Sequence, residues 1–236
     1  MIRTAPGALA LCALALSSSA AIAKPATGTV SGTVVFAGTP PVRKKIVRDS
    51  DPVCAKTEGL SEDIVVGAKG GLQDVLVRVV GVPGKFPIPQ TPVVIAQHDC
   101  RYEPRVSAVR AGQQLAIHNG DPTYHNVRGA LGAKTIFNMS QPQGDPDITK
   151  DAAPKVGDAI ALHCDVHAWM QAWAVTVDNP FFVVTGDDGA FRIADVPPGK
   201  YTLEAWHPTL GAMTAKITVP KRGAVKATKL TFKPAI

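Results

Sequence analysis

Residues 163–170 read HCDVHAWM and gather two histidines, a cysteine and a methionine from a 236-residue chain that has six His, four Cys and four Met in all. Three readings are open: a metal site, half of a disulfide, or an accident of composition. A copper centre that passes single electrons needs two imidazoles and a thiolate near one plane, with a weak thioether beside them. Soft sulfur favours the reduced ion, and nitrogen accommodates the oxidised one. Cys164, His167 and Met170 supply three of those four donors at C-x2-H-x2-M spacing, which suits a tight loop between strands. The second imidazole must come from another strand end. His125 fits, within IHNGDPTYHNVRG (117–129): an apolar strand ends at His118-Asn119, Gly120-Asp121-Pro122 turns the chain, and the histidine follows.

The elements that must hold these donors are strands. The chain has 21 Gly and 20 Pro spread as punctuation, and between them lie short runs rich in Val, Ile and Thr. Examples are GTVSGTVVF (28–36), LQDVLVRVVG (72–81), TPVVIAQ (91–97), QQLAIHN (113–119), WAVTV (173–177), KYTLEAW (200–206) and AKITV (215–219). Most alternate apolar and polar residues with period two, as half-buried strands do, and nothing after the first residues keeps a helical period. The expected fold class is all-β, as one or two sandwiches. The stretch 131–154 is turn-rich and reads as loops around one or two short strands. The Pro-rich run 82–92 reads as a linker or crossover, and Asp178-Asn179-Pro180 marks a second boundary.

Around the two histidine-bearing stretches the chain resembles the cupredoxin family of blue copper proteins. YEPRVSAVRAGQQLAIHNGDPTYHNV is similar to that family's run from an extended strand to its first ligand histidine, and LHCDVHAWM to its ligand loop in the short amicyanin form. The resemblance implies a Greek-key β-sandwich with a single mononuclear type 1 copper: His125, Cys164 and His167 as equatorial ligands, Met170 as the weak axial one, and Asn119 bracing the ligand loops. It also implies that a partly exposed edge of His167 is the electron port, with Trp169 and Val166 in an apolar shell around Cys164. His163 and Ala168 depart from the family pattern, where an aromatic residue and a proline are common. His98, His118 and His163 read as exposed or structural, and His207, after a strand and before proline, as a turn residue.

TGDDGAFRIADVPPGKYTLEAWHPTLG (185–211) resembles the carboxypeptidase regulatory-like domain, a prealbumin-like sandwich found among carbohydrate-binding-like folds, and GTVSGTVVFAGTPP (28–41) resembles its opening strand. The implied organisation is a signal peptide over 1–23, a split sandwich over 24–91 and 180–236, and a cupredoxin domain over 92–179 inserted in it or following it. Tyr201 and Trp206 read as core aromatics rather than as a sugar platform, and Glu204 as an isolated strand residue.

The leader reading comes from MIRTAPGALALCALALSSSAAIAK: a basic start, an apolar run and a small-x-small site before Lys24. Its apolar run falls short of the roughly 20 residues a membrane span needs. An exported, periplasmic or secreted, protein is expected, and Cys12 leaves with the leader. Three cysteines then remain, so one disulfide and one thiol are expected. If Cys54 pairs with Cys100, as a surface staple closing a loop of about 46 residues worth roughly 3–4 kcal/mol, Cys164 is free for a metal. Pairing of Cys164 with either of the others removes the site.

A net charge of +6 without dense basic clusters interleaved with aromatics argues against nucleic-acid binding. No carboxylate pair or activated nucleophile stands out, so electron carriage rather than catalysis is expected, with an exported redox protein such as a c-type cytochrome as partner. Copper binding or delivery without redox turnover is the alternative. A structural or glycan-binding sandwich with a vestigial loop is the third reading.

Overall fold

The computed structural model describes residues 1, 27–221, 223–225 and 228–234, so the leader expected over 1–23, with Cys12, lies outside the described residues apart from Met1. Among the described residues the chain is all-β, with one 3-10 turn at Cys54–Lys56. No helix there is long and apolar enough to cross a membrane.

The strands form two face-to-face sandwiches. In the first, Gly28–Phe36 lies between Ala190–Val196, its antiparallel neighbour, and the parallel strands Gly223–Ala224 and Thr228–Phe232. The facing sheet runs Phe182–Val184, Leu76–Val80, Gly199–His207, Gly211–Val219, all antiparallel. Period-two alternation sends Tyr201, Leu203 and Ala205 inward against Val30, Val34 and Leu230. Tyr201 is therefore core, and Trp206 packs against the layer between the sandwiches.

In the second sandwich, a five-stranded sheet runs Lys134–Gln141, His125–Leu131, Ala159–His163, Gln171–Val177, Val106–Arg110. The other sheet runs Ile148–Asp151, Gln114–Asn119, Val93–His98, Arg101–Glu103. Ile95, Leu115, Ile117, Val127, Ile160 and Leu162 fill the space between them. The chain leaves the first sandwich after Val80 and re-enters it at Phe182, so the second is an insertion in the first.

A third apolar layer of Leu76, Val106, Ala108, Val175 and Val177 joins the two. This explains the nearly continuous apolar run of Leu76–Val80, whose strand is buried on both faces. Its one charge, Arg78, donates from Nε to Glu204 Oε1 at 2.7 Å and from Nη1 to the Thr176 carbonyl at 3.5 Å. Glu204, which looked isolated in the sequence, is thus the counter-charge of a buried arginine.

The turn-rich stretch 131–154 holds more strand than expected: Lys134–Gln141 is an eight-residue edge strand. Most of its side chains are exposed, so it carries no alternation to read.

Candidate metal centre

Two loops at one end of the inserted sandwich carry the candidate ligands. The first leaves Gln114–Asn119 and delivers His125 at the start of the next strand. Asn119 holds its shape: Oδ1 accepts the Asp121 N–H at 3.0 Å, and Nδ2 donates to the Thr123 and Gln141 carbonyls at 2.9 Å each. The second loop joins Ala159–His163 to Gln171–Val177. It is closed by the Met170 N–H donating to the His167 carbonyl at 2.8 Å and the Cys164 N–H donating to the Met170 carbonyl at 3.3 Å.

Among the described residues, the side-chain hydrogen bonds of Asn119 go to the first loop and to Gln141 beside it, not to the second loop. The bonds that stitch the two loops together come from Asn126, whose N–H donates to Cys164 Sγ at 3.4 Å and whose Oδ1 accepts the Asp165 N–H at 3.1 Å. Arg128 adds an ion pair to Asp165 at 2.7 Å.

The loops bring His125, Cys164 and His167 together, with ligand atoms within 4.8 Å of one another. The two histidines are 0% exposed and Cys164 is 2% exposed. His125 Nδ1 and His167 Nδ1 lie 3.0 Å apart, and Cys164 Sγ is 3.8 Å from His167 Nδ1. Met170 is buried at the end of the same loop, in the same apolar cluster as Cys164. Of the remaining histidines, His118 pairs with Asp147 and His98 with Glu103 at the surface, while His207 is buried in the first sandwich.

The outer nitrogens fix the chemistry of the inner ones. His125 Nε2 is 2.8 Å from Asp121 Oδ2, and His167 Nε2 is 3.1 Å from Asp51 Oδ2. Burial raises the pKa of both carboxyls, but hydrogen bonds outweigh it, chiefly from His125 to Asp121 and from the Cys54 backbone to Asp51; both stay below the usual range. Ionised carboxylates only accept, so each imidazole carries a proton on Nε2. The two Nδ1 lone pairs then face each other at 3.0 Å, and two lone pairs at that distance repel unless a proton or metal cation lies between them.

Titration behaviour follows the geometry. Burial alone lowers His125, yet its bonds to Asp121 and Cys164 raise it overall. Burial and the facing His125 lower His167 despite Asp51. Burial pushes the Cys164 thiol up, but the adjacent His125 imidazole and the N–H groups of Asn126, His167 and Val166 bring it below the ordinary range, which favours the thiolate. Two imidazole nitrogens beside a thiolate-prone sulfur are donors that suit copper, and Met170 lies buried in the same apolar cluster as that sulfur.

Two expectations are corrected. The edge of His167 is not exposed: Asp51, the Cys54 sulfur at 3.7 Å from Nε2, and Trp169, with ring centroids 5.1 Å apart, cover it. Val166 points to solvent instead of shielding Cys164.

The Cys54–Cys100 disulfide is present, with Cys164 free, but as an internal staple beside the site rather than a surface one. Cys100 sits in the two-residue turn of the Val93–His98 and Arg101–Glu103 hairpin, where Asp99 and Cys100 both have positive φ, 52° and 53°. That is the conformation a type I′ turn demands, usually of Asn or Gly. Its Cys100 carbonyl accepts the Trp169 indole N–H at 2.9 Å.

Sequence reading missed Asp51 and Asp121. Asp121, four residues before His125, was visible but read as a turn residue. Asp51 has one available signal, its position three residues before Cys54, which matters only once the disulfide is known.

Fold and site together define an all-β protein of two nested sandwiches whose inserted unit carries a buried thiol–imidazole cluster. The β-sandwich domain model of ER membrane protein complex subunit 7 matches residues 165–235. No curated protein matches the chain. Among solved structures, the chain is similar to a purple cupredoxin from Nitrosopumilus maritimus (19% identity, 36% of this chain and 98% of that one, TM-score 0.31). Amicyanin from Paracoccus versutus shows 17% identity over 42% of this chain and 96% of that one, TM-score 0.31. A copper-containing nitrite reductase from Thermus scotoductus shows 17% identity over 43% of this chain and 26% of that one, TM-score 0.34.

Proposed function

We propose that the protein is an exported one-electron carrier that holds a single mononuclear copper on His125, Cys164 and His167, with Met170 as the weak fourth donor. The observation that carries the reading is the pair of Nδ1 atoms facing each other at 3.0 Å beside a thiolate-prone sulfur. Bound there, copper would supply a centre that gains or loses one electron. The chain's own part is to hold the donors in one arrangement for both oxidation states. Asn126 fixes the sulfur, Asn119 fixes the first histidine loop, and burial excludes water. The domain division in this reading is 24–91 and 180–236 for the outer sandwich, resembling the carboxypeptidase regulatory-like domain, and 92–179 for the copper module.

Periplasmic or secreted location is supported by the leader pattern and by a disulfide, which persists in oxidising compartments. An exported redox protein such as a c-type cytochrome is the partner class. Native mass spectrometry of the mature chain tests the site: one copper per wild-type chain and none in C164S or H125A is the expected result.

A second reading, copper binding or handling without rapid turnover, is favoured by the covered edge of His167. Stopped-flow mixing of the copper-loaded protein with a reduced c-type cytochrome separates the two, since a carrier oxidises it rapidly and a copper-handling protein does not.

A further inference from the structure

The geometry points to Asp51 as a positioning residue for the metal-binding imidazole of His167, delivered from outside the copper module by the Cys54–Cys100 disulfide. This rests on the metal-site reading above and deepens it.

The two oxygens of Asp51 have separate tasks. Oδ1 accepts the Val53 and Cys54 N–H groups at 2.7 and 3.2 Å and so shapes the turn that leads into the disulfide. Oδ2 accepts the Thr123 hydroxyl at 2.9 Å and the His167 Nε2–H at 3.1 Å. A carboxylate can only accept, so it pins the proton to Nε2 and leaves the Nδ1 lone pair pointing at His125 and Cys164. Asp121 does the same for His125 from its own loop, and its Oδ2 also accepts the Cys100 N–H at 3.0 Å. The disulfide therefore ties the two carboxylates together: Cys54 follows Asp51 in the turn, and Cys100 is bonded to Asp121. Carboxylates behind ligand imidazoles set their tautomer and raise their basicity, and losing such a partner typically weakens metal binding about 10- to 100-fold.

The Asp51→Asn variant separates this role from a merely structural one. Its amide oxygen stays on the two turn N–H groups, so its NH2 faces His167. Two N–H donors cannot share one contact. The imidazole proton therefore moves to Nδ1 and occupies the lone pair a metal needs.

Long-range 1H–15N NMR of the metal-free mature chain reads the tautomer, and a competition titration with Zn(II) alone reads affinity. The expected result is Nε2–H on His167 in the wild type, its loss in D51N, and Zn(II) binding about tenfold or more weaker at an unchanged Tm. Retention of Nε2–H in D51N, or unchanged Zn(II) affinity, overturns the proposal. If D51N fails to fold, the wild-type spectrum still decides, because a bare His167 Nε2 overturns it. C164S and H125A run alongside separate the two failures. If they bind Zn(II) as the wild type does, the metal-site reading falls and the proposal with it. If they lose Zn(II) while D51N does not, the proposal alone falls.

Discussion

Cys54 Sγ lies 3.7 Å from His167 Nε2, so the staple that joins the N-terminal segment to the inserted sandwich is also the wall over the outer edge of the second histidine. A structural bond and a candidate metal ligand share one contact. Changing the first must therefore register at the second.

Removing the staple as C54S/C100S opens a loop of 46 residues and costs roughly 3–4 kcal/mol on loop-closure grounds. At about 2–4 °C per kcal/mol for a chain of this size, Tm falls by roughly 10 °C. Differential scanning calorimetry of the double variant checks this. Copper affinity should weaken with it, because Asp51 loses its anchor.

Met170 is buried at the loop end and is the weak donor in this account. Met170→Leu conserves volume, so copper and the visible band should survive. Replacing this donor by an apolar side chain disfavours the doubly charged ion more than the singly charged one, which outweighs the softness of the sulfur, so the reduction potential rises by roughly 59 mV for each tenfold change in relative affinity. Protein-film voltammetry of M170L against wild type measures it, and an unchanged potential removes Met170 from the donor set.

His207 makes stability fall in mild acid. It is fully buried, and burial, with Arg105 adding to it, holds its pKa down at about 4. Its Nδ1 accepts the Thr209 and Leu210 N–H groups at 3.1 and 3.2 Å, which a protonated nitrogen cannot do. The folded pKa lies below the unfolded value of about 6.5, so between these two pH values the unfolded chain binds more protons. The folded state is fully stable above about 6.5 and loses up to roughly 3 kcal/mol as pH falls to 4. Urea titrations at several pH values test this against His207→Asn, which keeps an acceptor and does not titrate there; the wild type should lose stability more steeply.

Arg78 between the sandwiches depends on Glu204. Its side chain is 9% exposed and that of Glu204 25%. Glu204→Ala strands a buried charge and should cost about 3 kcal/mol, and adding Arg78→Met should recover much of it. Chemical denaturation of the single and double variants reads the difference directly.

The sequence carried the candidate site unevenly, for physical reasons. Cys164, His167, Met170 and His125 are concentrated in two short loops, and their residue types announce their chemistry. The strands that position them alternate, so their all-β nature was legible too. Asp51 was not, because its contact with His167 spans 116 residues and aspartate in SDPVC reads as a turn former. The covered edge of His167 was missed for the same reason: a family pattern places ligands, but what packs over them comes from a segment outside that pattern. The Lys134–Gln141 strand escaped because an exposed edge needs no apolar period.

In the proposed site, Cys164 and two Nδ1 nitrogens hold one copper ion. Absorption and electron spin resonance spectra of the mature protein after one equivalent of Cu(II) test it most directly. An intense visible thiolate-to-copper band with narrow copper hyperfine splitting, both lost in C164S, is the result predicted. A colourless, folded protein whose Cys164 thiol still reacts freely after unfolding would contradict it.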